Sequence, residues 1–167
     1  MPYITHLKNC PLFKGLNEEE IAVYRAATRL VSYKEGESIM TEGESGETLV
    51  ILIKGKVTIS KKLTLLGDDE GDTKDKTFIT LTDEYKPFFG EMAMLKDDSR
   101  RTASVIASTD CEMVIMEKQS FQEVSVKHPG IGLKVMENIA KKLATNLERE
   151  SKNVLKLTTA FSLVLEE

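Results

Sequence analysis

Between residues 28 and 117 the sequence alternates short runs of β-branched and aliphatic residues with clusters of Gly, Asp and Glu. Short strands of this kind, with no helical pattern between them, are typical of an antiparallel sandwich or barrel rather than of a parallel sheet with crossover helices. One turn signal, Lys54-Gly55, predicts a two-residue hairpin between the runs on either side of it. The predicted strands cover residues 30–33, 49–53, 57–59, 78–81, 103–107 and 113–116.

Helical patterns flank this β-rich region. Asn17 and Glu20 have the spacing of a capping box, which predicts a short helix that ends near Ala27. After the strands, a short helical pattern covers residues from about 119 to about 126 and stops at a Pro-Gly break. A long helical pattern then runs over residues 131–165.

The last helix is too long for its apolar stripe to be covered by so small a β domain. We therefore divide the chain into residues 1–127, with the first helix, the β domain and the short following helix, and residues 128–167, a long helix that is expected to form a dimer. Its far half is expected to pair with a second copy of the chain. The stripe consists of Val135, Ile139, Leu143 and Leu147 and, after a polar stretch, Val154, Leu157, Phe161 and Leu165.

Composition limits the classes of function. The chain has 167 residues, 41% of them hydrophobic, and a formal net charge of −4, which predicts a folded domain and gives no electrostatic reason to expect nucleic acid as a partner. No apolar run approaches the roughly 18 residues of a membrane span. Cys10 and Cys111 lack the spacing of a zinc site, so we expect a cytoplasmic protein without a metal. The largely acidic segment at residues 67–76 predicts a solvated hairpin tip. His6 and His128 are the only histidines and form no recognisable catalytic set with a nucleophile, so we do not expect an enzyme.

The segment from residue 88 to residue 105 is the one that predicts ligand chemistry. Gly90 lets the backbone approach a ligand closely, and residues 91–95 form a short helical turn whose free N–H groups favour an anion. Ten residues after Glu91, the guanidinium of Arg101 could neutralise a phosphate there. The carboxylate of Glu91 would repel a phosphate but can accept hydrogen bonds from sugar hydroxyls. One site for a sugar and a phosphate is therefore predicted.

These residues resemble a known family. Residues 89–94 read Phe-Gly-Glu-Met-Ala-Met and residues 101–105 read Arg-Thr-Ala-Ser-Val, which is similar to the phosphate-binding cassette of cyclic nucleotide-binding domains. The turn at residues 42–47 and Gly55 match the turn glycines of that family in the same order. The resemblance implies a mainly β fold with flanking helices: an eight-stranded, jelly-roll-like β-roll (a double-stranded β-helix), one N-terminal helix and two C-terminal helices, the last one long. Lys86-Pro87-Phe88 occupies the place of the Gly-Asp pair that usually precedes the Phe-Gly-Glu of the family. In that family the last helix covers the base, so the resemblance implies that the helix at residues 128–167 is also a lid.

The resemblance also implies the contacts with the ligand. Glu91 would bind the ribose 2′-OH and Arg101 the exocyclic phosphate oxygens, while the adjacent Arg100 would take that part only if the loop were one residue shorter. The N–H groups of Met92 and Ala93, together with Thr102, would complete the phosphate cradle. The implied ligand-binding residues are Phe89, Gly90, Glu91, Met92, Ala93, Arg101, Thr102, Ala103 and, over the base, Asn146, with Glu150 as a weaker candidate.

The resulting hypothesis is a sensor module that binds a cyclic nucleotide, with cAMP expected and cGMP as the other candidate, because Thr102 after Arg101 resembles members that accept cGMP. It would work as a homodimer that signals to an effector protein of unknown identity. No room for a DNA-binding unit follows the last helix, so DNA binding is not expected. The alternative is a β-roll that has lost its ligand and acts as a dimerisation or docking platform.

Overall fold

The computed structural model describes residues 3–62, 75–98 and 100–165. Its helices are α1 (Tyr3–Lys8), α2 (Glu18–Ala26), α3 (Lys118–Lys127) and α4 (Pro129–Leu165), with 3₁₀ turns at Pro11–Phe13, Asp83–Tyr85 and Glu91–Met94. Its strands are β1 (Thr28–Tyr33), β2 (Ser38–Met40), β3 (Thr48–Lys54), β4 (Lys56–Lys62), β5 (Asp75–Thr82), β6 (Phe88–Phe89), β7 (Ser104–Ala107) and β8 (Cys111–Glu117).

In the described part of the chain, eight strands form two antiparallel four-stranded sheets, in the orders β1-β8-β3-β6 and β2-β7-β4-β5. The mainly β fold with flanking helices that the sequence predicts is confirmed. Each of the six predicted strands corresponds to one of β1, β3, β4, β5, β7 and β8. The short strands β2 and β6 were not predicted, because two or three residues are too few to show an alternating pattern.

The apolar run in β3 is continuous because both faces of this strand are buried. Leu49, Ile51 and Ile53 belong to the core beneath the helices, whereas Val50 and Leu52 belong to the core inside the roll. Side chains alternate between the two faces of a strand, so a strand that lies between two cores has no polar face. The first sheet is therefore the central layer of the molecule, between the helices and the second sheet.

The predicted hairpin at Lys54-Gly55 is wrong. Strands β3 and β4, on either side of Gly55, belong to different sheets: β3 pairs with β6 and β8, and β4 pairs with β5 and β7. Gly55 has a φ of 100°, and a Cβ there would lie 2.5 Å from the carbonyl oxygen of Asp110. The glycine is therefore needed for a sharp turn that takes the chain from one sheet to the other. In sequence such a turn looks the same as a hairpin turn, which is why the prediction failed.

At the N-terminus, the capping box is confirmed. The side chain of Asn17 accepts a hydrogen bond from the Glu20 N–H at 2.9 Å, and the Glu20 carboxylate accepts one from the Asn17 N–H at 2.9 Å. Helix α2 ends at Ala26, next to the predicted end. The additional helix α1 and the following 3₁₀ turn were not predicted. Helix α4 holds the 3₁₀ turn in place, because the buried side-chain amide of Asn138 donates to the carbonyls of Leu12 and Lys14.

Helix α4 buries one face of its first half against the domain, whereas its second half is exposed on all sides. Val135 and Ile139 are fully buried against the core beneath the helices. Beyond Asn146 every residue of α4 whose side chain is described is exposed, including Leu157 at 68% and Phe161 at 70%. This exposure is consistent with the prediction that the domain cannot cover the apolar stripe of α4. The pairing of the stripe with a second copy of the chain stays a prediction. The division of the chain after residue 127 also stays a prediction.

Three predictions concern the whole chain or a segment that the structure describes only in part. The acidic tip at residues 67–76 lies outside the described residues except for its last two, which are part of β5. Among the described helices, none combines the length and the apolar character needed to cross a membrane. Within the same described ranges, no group of three or more His, Cys, Asp and Glu side chains could hold a metal ion.

Candidate functional site

Strand β6 and the 3₁₀ turn after it carry the Phe-Gly-Glu sequence into a cavity. Phe88 and Phe89 pair with β3, and Gly90 follows with a φ of 78°. A Cβ on Gly90 would lie 2.7 Å from the carbonyl oxygen of Thr48 and 2.9 Å from Nη1 of Arg101, so a side chain at this position would displace the arginine. Gly90 is therefore needed for both its backbone conformation and its lack of a side chain.

The 3₁₀ turn Glu91–Met94 presents backbone N–H groups at its start. The Ala93 N–H donates to the Gly90 carbonyl at 3.1 Å, so it is already engaged in the turn. The N–H groups of Glu91 and Met92 come before the first hydrogen bond of the turn and have no acceptor within it. Of the two predicted phosphate donors, Met92 is therefore the better placed, and Ala93 would have to share its N–H.

Arg101 is held by contacts from the turn at residues 42–47 and the start of β3. Its backbone N–H donates to the Glu44 carbonyl at 2.8 Å, and its carbonyl accepts from the Gly43 N–H at 2.8 Å. Its Nη1 donates to the Thr48 carbonyl at 2.9 Å, and its Nη2 donates to the Thr48 hydroxyl at 2.7 Å. A guanidinium has five N–H donors, so Thr48 anchors the group and leaves donors for an anion.

Partial burial lowers the pKa of Arg101 through desolvation, but an arginine remains charged at physiological pH. No carboxylate among the described residues pairs with this guanidinium, which thus offers a fixed positive charge to a ligand. Arg100, by contrast, is exposed, and its Nη1 donates to the Gly43 carbonyl at 3.2 Å. Of the two adjacent arginines, Arg101 is the one that the fold holds in place.

Glu91 is buried, with 8% of its surface exposed, and is paired with a residue of α4. Its Oε2 lies 3.1 Å from Nζ of Lys142. The same ammonium donates to the Phe88 carbonyl and lies 4.1 Å from the centre of the Phe88 ring. Burial lowers the pKa of Lys142, and the charge of Glu91 opposes that shift. The carboxylate is therefore held in place by the helix that also forms one wall of the cavity.

All of the predicted contact residues border one cavity of about 310 Å³, near the lower end of the ~300–1,000 Å³ range typical of small-molecule pockets. These are Phe89, Gly90, Glu91, Met92, Ala93, Arg101, Thr102, Ala103 and Asn146. Glu150, the weaker candidate, is not among the lining residues, and its carboxylate lies 3.5 Å from Nε of Arg149. The cavity thus has a charged end, at Arg101 and Glu91, and an apolar wall formed by Met40, Ile59, Ile79, Leu81 and Val105.

Four residues that contribute to the site were missed from the sequence. Thr48 and Gly46 position Arg101 from more than fifty residues earlier in the chain. Lys142 and Arg149 reach the cavity from α4. The helical residues could have been found, because positions 142, 146 and 149 share one face of a helix and Asn146 was already predicted to face the ligand. No local pattern identifies Thr48.

The fold and the cavity define a ligand-binding β-roll whose charged end suits a phosphorylated sugar. The family model of the cyclic nucleotide-binding domain matches residues 30–128. The chain therefore belongs to the cyclic nucleotide-binding domain family, as the sequence resemblance indicated.

Individual relatives agree with this assignment. The chain is 28% identical over 123 residues to cGMP-dependent protein kinase isozyme 2 of Drosophila melanogaster, a match that covers 73% of this chain and 12% of the kinase. It is 32% identical over 124 residues to the cAMP-dependent protein kinase regulatory subunit of Aspergillus fumigatus, a match that covers 73% of this chain and 26% of that subunit. The catabolite activator protein of Thermus thermophilus matches with a TM-score of 0.72 at 30% identity, covering 89% of this chain and 63% of that one. The chain thus spans only a small part of the two kinase-system relatives.

Proposed function

We propose that this chain is a regulatory module that binds a 3′,5′-cyclic nucleotide and acts through binding rather than catalysis. The observation that carries the proposal is the position of Arg101. Its guanidinium is anchored by Thr48 and faces the same cavity as the carboxylate of Glu91. The cyclic phosphate would bind Arg101 and the Met92 N–H, and the ribose 2′-OH would donate to Glu91. The sequence-based expectation for the base is adenine, with guanine as the alternative.

The adjacent arginine provides a matched control for this proposal. Isothermal titration calorimetry with cAMP and cGMP should detect binding to the wild-type chain at micromolar affinity or better. Arg101→Ala should weaken nucleotide binding by about 100-fold, because a charge-assisted pair of hydrogen bonds contributes about 3 kcal/mol to the free energy of binding. Arg100→Ala removes the same charge one residue away. Arg100 also borders the cavity but is exposed to solvent, so its loss should cost at most about threefold. A wild-type chain that binds neither nucleotide would favour the alternative, a β-roll that serves only as a platform.

The second half of α4 supports a homodimer. Leu147, Val154 and Phe161 are exposed and recur every seven residues, with Leu157 and Val164 at the intermediate positions. Such a repeat over several turns of helix is typical of a two-stranded coiled coil, and a second copy of the chain presents the same stripe. We therefore propose a second copy as the partner of this half of α4.

Two neighbouring leucines test the dimer. Leu157→Asp places a charge within the proposed seam and should give a monomer in sedimentation-velocity experiments at micromolar concentration. Leu155→Asp introduces the same charge at an equally exposed position outside the seam, 67% against 68%, and should leave the dimer intact. If both variants sediment like the wild type, the two helices do not meet along this seven-residue repeat.

We propose the cytoplasm as the setting of this module. The buried thiols of Cys10 and Cys111 are both free, as is usual in a reducing compartment, and a sensor of cyclic nucleotides would meet its ligand inside the cell. The net charge of −4 argues against DNA as a direct partner of this module, since DNA binding requires a basic surface. The output would therefore be a contact with an effector protein.

A further inference from the structure

Helix α4 brings three polar side chains to the cavity from one face. Lys142, Asn146 and Arg149 are spaced four and three residues apart and all line the cavity. Lys142 is engaged with Glu91, at the charged end. Asn146 and Arg149 lie about 6 and 10 Å further along the helix axis than Lys142, so they line the cavity away from the contact between Lys142 and Glu91. A base would extend toward them if the phosphate bound Arg101.

The contact between Asn146 and Arg149 determines what this pair can offer a ligand. Nη2 of Arg149 donates to Oδ1 of Asn146 at 3.5 Å. A guanidinium has donors only, so the amide beside it turns its oxygen toward the arginine and leaves its NH₂ group for another partner. Nε of Arg149 lies 3.5 Å from Oε1 of Glu150, but these two contacts leave other N–H groups of the guanidinium for a ligand. Both side chains therefore present N–H donors. Lys142 and Arg149 both line the cavity, so two cations border the same space.

The edges of the two purine bases differ in what they accept. Guanine presents two acceptors, O6 and N7, whereas adenine presents N7 beside an N6 amino donor. Arginine pairs with O6 and N7 through two parallel hydrogen bonds. Among the described lining residues Glu91 is the one carboxylate, and it lies at the charged end, where the proposed function assigns it to the ribose. No second carboxylate among these residues lines the cavity to accept from the adenine amino group.

We propose that Arg149, assisted by Asn146, reads the O6 and N7 edge of guanine, so that the module prefers cGMP to cAMP. This inference rests on the proposed function and reverses the base that the sequence led us to expect. It makes Arg149 a specificity-determining residue, and the recognised atoms are O6 and N7 rather than the N2 amino group of guanine.

Four ligands separate these recognition modes in titration calorimetry. Cyclic IMP retains O6 and N7 but lacks the N2 amino group, and 7-deaza-cGMP lacks N7. We expect cGMP and cyclic IMP to bind about tenfold more tightly than cAMP, and 7-deaza-cGMP to bind about fivefold more weakly than cGMP. If cyclic IMP binds as weakly as cAMP, the N2 amino group is the recognised feature and the inference is wrong.

A pair of variants tests the residue itself. Arg149→Met keeps the length of the side chain but removes its donors, and should reduce the ratio of cGMP to cAMP affinity by about tenfold. Lys152→Met removes one positive charge from the same helix at a position outside the cavity lining, and should leave the ratio unchanged. Circular dichroism checks that both remain helical. Equal binding of cAMP and cGMP by the wild type would refute the base inference alone, whereas no binding of either would refute the proposed function as well.

Discussion

Gly46→Ala tests whether Arg101 must be held where the structure places it. A Cβ at position 46 would lie 2.0 Å from Nε and 2.3 Å from Cζ of Arg101. Ordinary contacts between such atoms are about 3.5 Å, so the guanidinium would have to retreat by about 1.5 Å. The contacts with Thr48 at 2.9 and 2.7 Å would then exceed hydrogen-bond distance. The fold should survive, because the clash is with the end of a flexible side chain.

The expected effect is therefore larger on binding than on stability. The half-buried guanidinium can replace its lost partners with water, so the free energy of unfolding should fall by only about 1 kcal/mol. The phosphate, however, loses a charge-assisted contact that water cannot replace in the cavity, at a cost of about 2–3 kcal/mol, or about 30- to 150-fold in affinity.

Calorimetric titration with cAMP and cGMP, together with urea unfolding, measures both quantities. Gly130→Ala is the matched control, because a Cβ there meets nothing within 4 Å, and its affinity should equal that of the wild type. If Gly46→Ala binds within about threefold of the wild type, Arg101 is not the phosphate ligand in the position described, and its anchoring by Thr48 does not matter for binding.

Three further predictions concern the buried polar groups. In a double-mutant cycle, Lys142→Met and Glu91→Gln should show a coupling of about 2 kcal/mol in urea unfolding, because each single change leaves a partly buried charge without its partner; additive effects would contradict the ion pair. Burial raises the pKa of Cys10 to about 12 from 9.0, so the folded chain retains a proton that the unfolded chain loses above pH 9. The free energy of unfolding should therefore fall above pH 9 by up to about 1.4 kcal/mol per pH unit more in the wild type than in Cys10→Ala, and parallel pH profiles would refute this. Asn138→Ala should lower the free energy of unfolding by about 2 kcal/mol, because two carbonyls of the N-terminal turn lose their donor, and an unchanged denaturation midpoint would show that water replaces it.

The cassette could be predicted from the sequence because its determinants are local. Gly90, Glu91 and Arg101 lie within twelve residues, and their types suffice to indicate an anion next to a hydroxyl acceptor. Their common cavity in the structure agrees with that prediction. The contacts that hold them could not be predicted in the same way, because Thr48 and Lys142 come from positions more than forty residues away on either side.

The hairpin error shows a second limit of local patterns. A glycine such as Gly55 indicates that the backbone turns sharply, but the partner of each strand depends on which face must be buried. Strand β3 has two apolar faces and must lie between two cores, whereas β4 carries polar residues that suit an outer sheet. The pairing of β3 with β8, and not with its neighbour in sequence, follows from that burial.

The position of the cavity along α4 explains how a small ligand could control a dimer. The helix leaves the body of the domain after Asn146, which itself lines the cavity. From there to Leu165 the helix extends about 28 Å at 1.5 Å per residue, so a tilt of about 10° at the cavity would displace its tip by about 5 Å, nearly one helical turn. A ligand that donates to Glu91 and accepts from Arg149 would change the contacts of α4 at the point where such a tilt has the greatest effect. It could shift the helix only by its differential affinity for the two positions, so in the proposed dimer the contacts that decide binding would also decide how the two copies of α4 meet.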